Sequence, residues 1–79
     1  MQDLAGKKIL VCGGLGRMGS AICSHLVSIK AIPIVVDSQK NEIEASLSYK
    51  CDLSDVKQTE LVFAQIFEEH SRVDHLINA

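Results

Sequence analysis

The chain has 79 residues, of which 47% are hydrophobic, and a formal net charge of −2 at pH 7. It therefore has room for one small domain and is too apolar to be disordered. The charge gives no reason to expect a nucleic-acid partner or an anionic membrane. No apolar run reaches the roughly 18 residues of a membrane-spanning helix, and the N-terminal MQDLAGKK lacks the apolar core of a secretory signal.

The first half of the chain predicts a strand, a helix and a second strand. Lys8–Cys12 is short and apolar after its first residue, which is typical of a buried parallel strand. From Arg17 the period changes and predicts a helix of roughly 13 residues that ends near Lys30. Ile32–Asp37 is a second buried strand. The predicted apolar stripe of the helix consists of Met18, Ile22, Leu26, Val27 and Ile29.

The second half predicts a strand, a helix and a strand after a polar linker at 38–45 with little helical character. Residues 47–51 predict the third strand, and residues 73–79 the fourth. Asp55 is the expected N-cap of the second helix, with Gln58 at capping-box spacing. The expected apolar face of this helix is Val62, Phe63, Ile66 and Phe67. The order β-α-β-β-α-β predicts an α/β fold with a parallel sheet. Since the last strand is cut off, residues 1–79 are expected to be a truncated N-terminal part of a single domain.

Four of the five glycines fall between Gly13 and Gly19, and they include a GxGxxG string between a strand and a helix. In this context the string predicts dinucleotide binding. Gly14 would make the tight turn, Gly16 would let the backbone approach a pyrophosphate, and Gly19 would let the helix pack on the sheet. The helix N-terminus offers N–H groups to phosphates, and Arg17 is expected either to reach a phosphate or to be solvated.

Asp37 ends the second strand 18 residues after Gly19. This is near the spacing at which an acid accepts hydrogen bonds from an adenosine ribose. A carboxylate there repels a 2′-phosphate, so NAD is favoured over NADP, although Lys40 lies nearby in the chain. The alternative is that Asp37 only caps a turn.

Three stretches together resemble the short-chain dehydrogenase/reductase family. VCGGLGRMGSAI is similar to its nucleotide loop, CDLSD (51–55) to the acidic turn after its third strand, and VDHLINA (73–79) to its fourth strand. The likeness spans nearly the whole chain, which corresponds to about the first third of a family member. It implies a Rossmann-type, doubly wound parallel sheet, and a parent oxidoreductase that transfers hydride between NAD(H) and an alcohol or carbonyl.

The resemblance also implies roles for individual residues. Gly13, Gly16 and Gly19 would line the pyrophosphate, with Met18 near the cofactor. Asp37 would hold the adenosine ribose, and Asp52 and Leu53 would flank the adenine. Asn78 and Ala79 would border the ribose and brace the sheet.

Some positions depart from the family pattern. Cys12 stands where the family usually has Thr, and Arg17 stands in place of the middle glycine of the classical GxxxGxG spacing.

The spacing of Gly13, Gly16 and Gly19 resembles the extended sugar-nucleotide epimerases and dehydratases, whereas LINA resembles the classical dehydrogenases. Both subgroups stay open, as does a non-catalytic nucleotide-binding or dimerising module. An FAD-binding version is disfavoured by CDLSD and LINA.

No catalytic or metal-ligating residue is expected within this chain. The family's chemistry uses a Ser and a Tyr-x-x-x-Lys pair in later segments, whereas Tyr49 is followed four residues on by Leu53. The three histidines share no ligand spacing. The odd number of cysteines predicts buried free thiols in a reducing, cytoplasmic setting. A reactive thiol at Cys12 is the alternative for that residue.

Overall fold

The computed structural model of the chain describes residues 3–13, 16–38 and 47–79. The predicted α/β class and element order are confirmed. The elements are strand β1 (Lys8–Cys12), helix α1 (Arg17–Ser28), strand β2 (Ile32–Asp37), strand β3 (Leu47–Lys50), helix α2 (Val56–His70) and strand β4 (His75–Asn78). Strands β3 and β4 are shorter than predicted. Apart from Ser38, which forms a bend, the predicted linker at 38–45 lies outside the described residues.

The four strands form one parallel sheet in the order β3-β2-β1-β4. The chain passes from β1 to β2 and β3 on one side, and then crosses over to place β4 on the other side of β1. The direction of winding therefore switches between β1 and β4, which is the place where doubly wound sheets bind their ligands.

Both faces of the central strands are covered, and this explains why β1 and β2 are apolar at successive positions. The cluster on the α1 face consists of Ile9, Val11, Cys23, Leu26, Ala31 and Val35. The cluster on the α2 face consists of Leu10, Cys12, Ile34, Val36, Cys51 and Ile66. The three free cysteines are all buried, with Cys23 on the α1 face and the other two on the α2 face.

The predicted apolar faces of both helices need one correction each. Met18 is 70% exposed, and Gly19, Cys23 and Leu26 are the buried residues of α1. Of the predicted stripe, Leu26 is buried and Ile22 and Ile29 pack against the cluster, so the correction concerns Met18 in the first turn. In α2, Ile66 is fully buried and Val62 and Phe63 pack against the cluster, but Phe67 is 52% exposed. Phe67 therefore lies at the margin of the packed face of α2.

Helix α1 ends in a Schellman motif. Ala31 N–H donates to Leu26 O at 2.9 Å and Lys30 N–H donates to Val27 O at 3.0 Å. Lys30 has a φ of 69°, at the position where glycine is usual. The sequence predicts Lys30 only as a cation near the helix end, and the backbone conformation shows that it is also a strained C′ residue.

Helix α2 begins as predicted, with Asp55 Oδ1 accepting a hydrogen bond from Gln58 N–H at 3.1 Å. The second half of the capping box differs from the prediction. The Gln58 side chain accepts from Asp52 N–H instead of turning back to Asp55. The acidic turn 51–55 is therefore tied to the first turn of α2.

At the amino edge of the sheet, the Asp74 side chain joins β1 to the start of β4. Its Oδ2 accepts from Lys8 N–H at 2.8 Å and pairs with Arg72 Nε at 3.0 Å. Asp74 N–H donates to Lys8 O at 2.8 Å, and the Lys8 ammonium donates to His70 O at the end of α2, also at 2.8 Å. One carboxylate thus aligns two strands whose residues are far apart in the chain.

We expect Lys30→Gly to stabilise the protein. Glycine adopts the left-handed conformation without the strain of about 1–2 kcal/mol that other residues bear, and it loses somewhat more backbone entropy on folding. The net effect should be a gain of about 0.5–1 kcal/mol in the free energy of unfolding, measured by chemical denaturation. A loss of stability would contradict the Schellman assignment.

The Asp74 connection predicts a pH dependence. Hydrogen bonds from Lys8 N–H, together with the nearby Arg72 guanidinium, lower the pKa of Asp74 in the folded state. The carboxylate therefore stabilises the fold above its ordinary pKa of about 3.9, and this contribution is lost as the pH falls through the lowered value. Wild type should exceed Asp74→Asn in unfolding free energy at neutral pH, and the difference should shrink below about pH 4. A difference that is constant down to strong acid would contradict this role.

Candidate functional site

A cleft of about 230 Å³ lies at the carboxyl edge of the sheet, across the ends of β1, β2 and β3. Its lining residues are Gly13, Asp37, Ser38, Cys51, Asp52, Leu53 and Ser54. Four of the predicted site residues therefore meet in one place, two of them carboxylates. Strand ends of this kind carry the binding sites of open α/β sheets.

Gly13 makes the turn that leaves β1, and a glycine is required at this position for two separate reasons. Its φ is 77°, and a Cβ atom there would lie 2.9 Å from Ala79 O. Its N–H donates to Val36 O at 2.8 Å, which fixes the turn to β2. The sequence assigns the tight turn to Gly14, which lies outside the described residues, as does Leu15.

Gly16 differs from Gly13, because the surrounding protein does not require a glycine there. Its φ is −70°, which any residue adopts. Among the residues that the structure describes, a Cβ atom would meet only Gly13 O, at an ordinary 3.6 Å. The missing side chain therefore leaves the backbone open to close approach from outside.

Gly16 is also the N-cap of α1, and it has no side chain with which to cap the first turn. The first turn contains no acidic residue. Its N–H groups and the positive end of the helix dipole are therefore suited to an anion. Arg17 and Met18 are exposed in this turn, whereas Gly19 is buried.

Asp37 lies half-buried at the end of β2, with its carbonyl accepting from Cys51 N–H at 2.8 Å. This backbone bond brings the acidic turn beside Asp37, so the two carboxylates of Asp37 and Asp52 line the same cleft. The site is acidic on the side of β2 and β3, and it has a helix N-terminus on the side of β1.

The Asp52 carboxylate is held by its own turn. Its Oδ1 accepts from Ser54 N–H at 3.0 Å and from the Ser54 hydroxyl at 2.6 Å. These hydrogen bonds lower the pKa of Asp52. The sequence names Asp52 and Leu53 as site residues and misses Ser54, although Asp-x-Ser is the pattern of an Asx-turn. Leu53 is 41% exposed at the cleft.

Asn78 and Ala79 lie on the opposite side of β1 from the cleft. Asn78 is in register with Cys12, and Ala79 N–H donates to Cys12 O at 3.0 Å. Both residues are exposed. They border the glycine loop, so the predicted residues extend along one edge of the sheet from β3 to β4.

Two side chains that could carry chemistry are otherwise engaged. The Tyr49 hydroxyl donates to Glu69 at 2.5 Å and lies 2.9 Å from His70 Nε2, while burial and Glu69 raise its pKa to about 12. Burial, with a smaller effect of Cys51, raises the pKa of Cys12. Burial and a raised pKa both disfavour the alternative of a reactive Cys12, since reactive thiols are accessible and have a lowered pKa. Within residues 3–13, 16–38 and 47–79, no three His, Cys, Asp or Glu residues are placed to share a metal ion.

No family model matches the chain. A curated relative, the post-translational flagellin modification protein A of Campylobacter coli, is 27% identical over 88 aligned positions, which cover 96% of this chain. The chain spans about a third (34%) of the length of that relative. In the part of the chain that the structure describes, no helix is long and apolar enough to cross a membrane.

Several solved structures share the fold. The ligand-free aldohexose dehydrogenase of Thermoplasma acidophilum superposes with a TM-score of 0.89 at 23% identity, over 98% of this chain and 30% of its own. A short-chain dehydrogenase of Leptospira borgpetersenii with bound NAD+ gives 0.86 at 22%, over 96% and 32% of the two chains. The epimerase Mth375 of Methanothermobacter thermautotrophicus gives 0.75 at 28%, over 95% and 23%.

The two requirements at Gly13 can be separated by a matched pair of variants. Gly6 also has a positive φ, 75°, but no described residue has an atom within 4 Å of its Cβ position. Gly6→Ala should cost only the conformational strain of about 1–2 kcal/mol. Gly13→Ala adds the clash with Ala79 O and should be at least about 1 kcal/mol more destabilising, in the range of overpacking. Equal losses of unfolding free energy would contradict the contact between the turn and the end of β4.

The sequence and the structure agree on how this chain relates to known proteins. The glycine loop, the acidic turn and the end of the fourth strand all lie at the carboxyl edge of one parallel sheet. The solved structures with this arrangement include dehydrogenases that superpose over nearly the whole chain. The chain therefore has a Rossmann-type α/β fold like that of these solved dehydrogenases, which is the fold that the family resemblance implies.

Proposed function

We propose that the chain is the NAD-binding segment of a short-chain dehydrogenase/reductase, with residues 1–79 forming the N-terminal part of a single Rossmann-type domain. The whole protein would transfer hydride between NAD(H) and an alcohol or carbonyl substrate. The observation that carries this proposal is Gly16, where the described residues leave open a space that they do not themselves need. That space lies at the N-terminus of α1, where the backbone favours a phosphate.

The glycine loop would hold the pyrophosphate. Gly13 fixes the turn and Gly16 allows close approach, while Gly19 lets α1 pack against the sheet. Gly14 belongs to the same proposed loop. Arg17, exposed in the first turn, would add a charged donor toward the phosphates.

The acidic part of the cleft would hold the adenosine. Asp37 would accept hydrogen bonds from the ribose hydroxyls, and its charge would repel a 2′-phosphate, so NAD is proposed over NADP. Asp52 and Leu53 would flank the adenine, the first as an acceptor and the second as a half-exposed apolar surface. The charge pattern supports this assignment, because the carboxylates and the helix N-terminus lie on opposite sides of the site.

The other end of the cofactor would extend toward β4. Met18, Asn78 and Ala79 lie along this path, and Met18 is an exposed apolar side chain beside the glycine loop. Bound NAD supplies the hydride chemistry, while the protein binds and orients it. The proposed roles of these residues are contact and positioning, and the family's catalytic Ser, Tyr and Lys would come from segments beyond this chain.

A dehydrogenase is proposed ahead of an extended-type epimerase. The superposition supports this order, since the dehydrogenases give TM-scores of 0.89 and 0.86 and the epimerase gives 0.75. The glycine spacing and the 28% identity of the epimerase support the alternative. Both candidates use the same proposed NAD site.

A second candidate function is a non-catalytic module that binds the nucleotide and pairs with its own kind. It is favoured by Leu76 on β4, an edge strand of the described sheet, which is 61% exposed. Light scattering over a range of concentrations would separate a self-associating module from a monomer.

The buried free thiols support the proposal of a reducing, cytoplasmic location.

The proposal predicts that Asp37→Ala weakens NADH binding by about tenfold or more, because hydrogen bonds to a charged acceptor are worth about 1.5–3 kcal/mol. The same variant should narrow the preference for NADH over NADPH. Calorimetric titration measures both affinities. Asp3→Ala makes the same change in net charge at an exposed site away from the cleft and serves as the control. An unchanged NADH affinity in Asp37→Ala would assign that residue to the turn alone, and no NADH binding by the wild type would overturn the proposed function.

A further inference from the structure

Ser54 lines the proposed adenine end of the cleft, but neither the glycine motif nor the family resemblance assigns it a role. Its hydroxyl donates to Asp52 Oδ1 at 2.6 Å, and its amide donates to the same oxygen at 3.0 Å. Both bonds go to one carboxylate oxygen, so they restrict rotation of the carboxylate about the Cβ–Cγ bond of Asp52. No hydrogen bond to the second oxygen, Oδ2, is found among the residues that the structure describes.

The backbone of Asp52 is held as firmly as its side chain. Its N–H donates to the Gln58 side chain, and its carbonyl accepts from Asp55 N–H at 3.0 Å. Gln58 and Asp55 are themselves joined by the N-cap bond of α2. The turn is therefore anchored to a helix, and within this anchored turn the Ser54 bonds set the orientation of the Asp52 carboxylate.

We propose that Ser54 is a positioning residue of the cofactor site, which holds Oδ1 of Asp52 so that Oδ2 is presented to the exocyclic amino group of the adenine. This inference rests on the proposed function, since it requires a dinucleotide in the cleft. The ionised carboxylate is an acceptor only, so it selects a base that offers a donor at this point. Ser54 thereby contributes to recognition of the base without touching it.

A purely structural role for Ser54 makes a different prediction. If the hydroxyl only stabilises the turn, its removal would lower stability and would weaken all dinucleotides alike. If it positions Asp52, its removal would weaken only those ligands whose base carries the amino group. The two roles are separated by comparing NADH with its reduced purine analogue, in which hydrogen replaces the adenine 6-amino group.

The experiment is a calorimetric titration of the purified protein with NADH and with this analogue. Ser54→Ala should bind NADH about three- to tenfold more weakly, the size expected for one hydrogen bond, and should bind the analogue with wild-type affinity. Ser54→Thr, which retains the hydroxyl, should restore NADH binding. Ser28→Ala is the matched control, because it removes a hydroxyl that also donates at 2.6 Å, to His25 O at the far end of α1.

A double-mutant cycle with Asp52→Ala tests whether Ser54 acts through the carboxylate. In that background, Ser54→Ala should produce no further loss of NADH affinity. Equal weakening of both ligands, unchanged NADH binding in Ser54→Ala, or additive losses in the cycle would each overturn the positioning role. If the wild type binds neither ligand, the proposed function fails and the inference fails with it. If it binds both ligands and only the variant results disagree, the inference alone fails.

Discussion

Strand β1 has hydrogen-bonded parallel partners on both sides and apolar side chains on both faces. The chain that leaves its carboxyl end is therefore enclosed by β2 on one side and by the end of β4 on the other. A residue with a side chain does not fit, because its Cβ atom would come within 2.9 Å of the Ala79 carbonyl. This crowding at Gly13 determines where the glycine loop leaves the sheet. The start of α1 and the position of the cleft follow from it.

The glycines of the loop are thus present for different physical reasons. At Gly13 the fold itself requires glycine, because φ is positive and the end of β4 lies close. Neither reason applies to Gly16, since its φ is ordinary and the described residues leave room for a Cβ atom. A glycine that the described residues do not require points to a ligand, and Gly16 therefore indicates binding more specifically than the glycine string alone.

Much of the fold is readable from short-range sequence patterns. The apolar runs predict β1 and β2 with the observed bounds, and Asp55 predicts the start of α2. The remaining features depend on partners far away in the chain. Asp74 bonds to Lys8 across a separation of 66 residues, and nothing in the local sequence around either residue indicates the other.

The errors in the helices have a common cause. A periodic pattern gives the existence of an apolar face, but tertiary packing decides its rotation and its width. In α1, Ile22, Leu26 and Ile29 pack against the core, but Met18 in the first turn is exposed. In α2, Phe67 lies beyond the packed part of the apolar face and is about half exposed. For the site, the spacing after the glycines predicts Asp37 and the family resemblance implies Asp52, whereas Ser54 becomes visible only through the bonds that orient Asp52.

The placement of the three cysteines has a practical consequence. Cys23 lies in the cluster beneath α1, and Cys51 lies in the cluster beneath α2. Both are at most 1% exposed, and the native fold shields them from thiol reagents. An alkylating reagent reaches each thiol only when its own face opens, so the order in which the two become labelled records which helix separates from the sheet first. Each face of the sheet therefore contains a buried thiol whose labelling reports when that face opens.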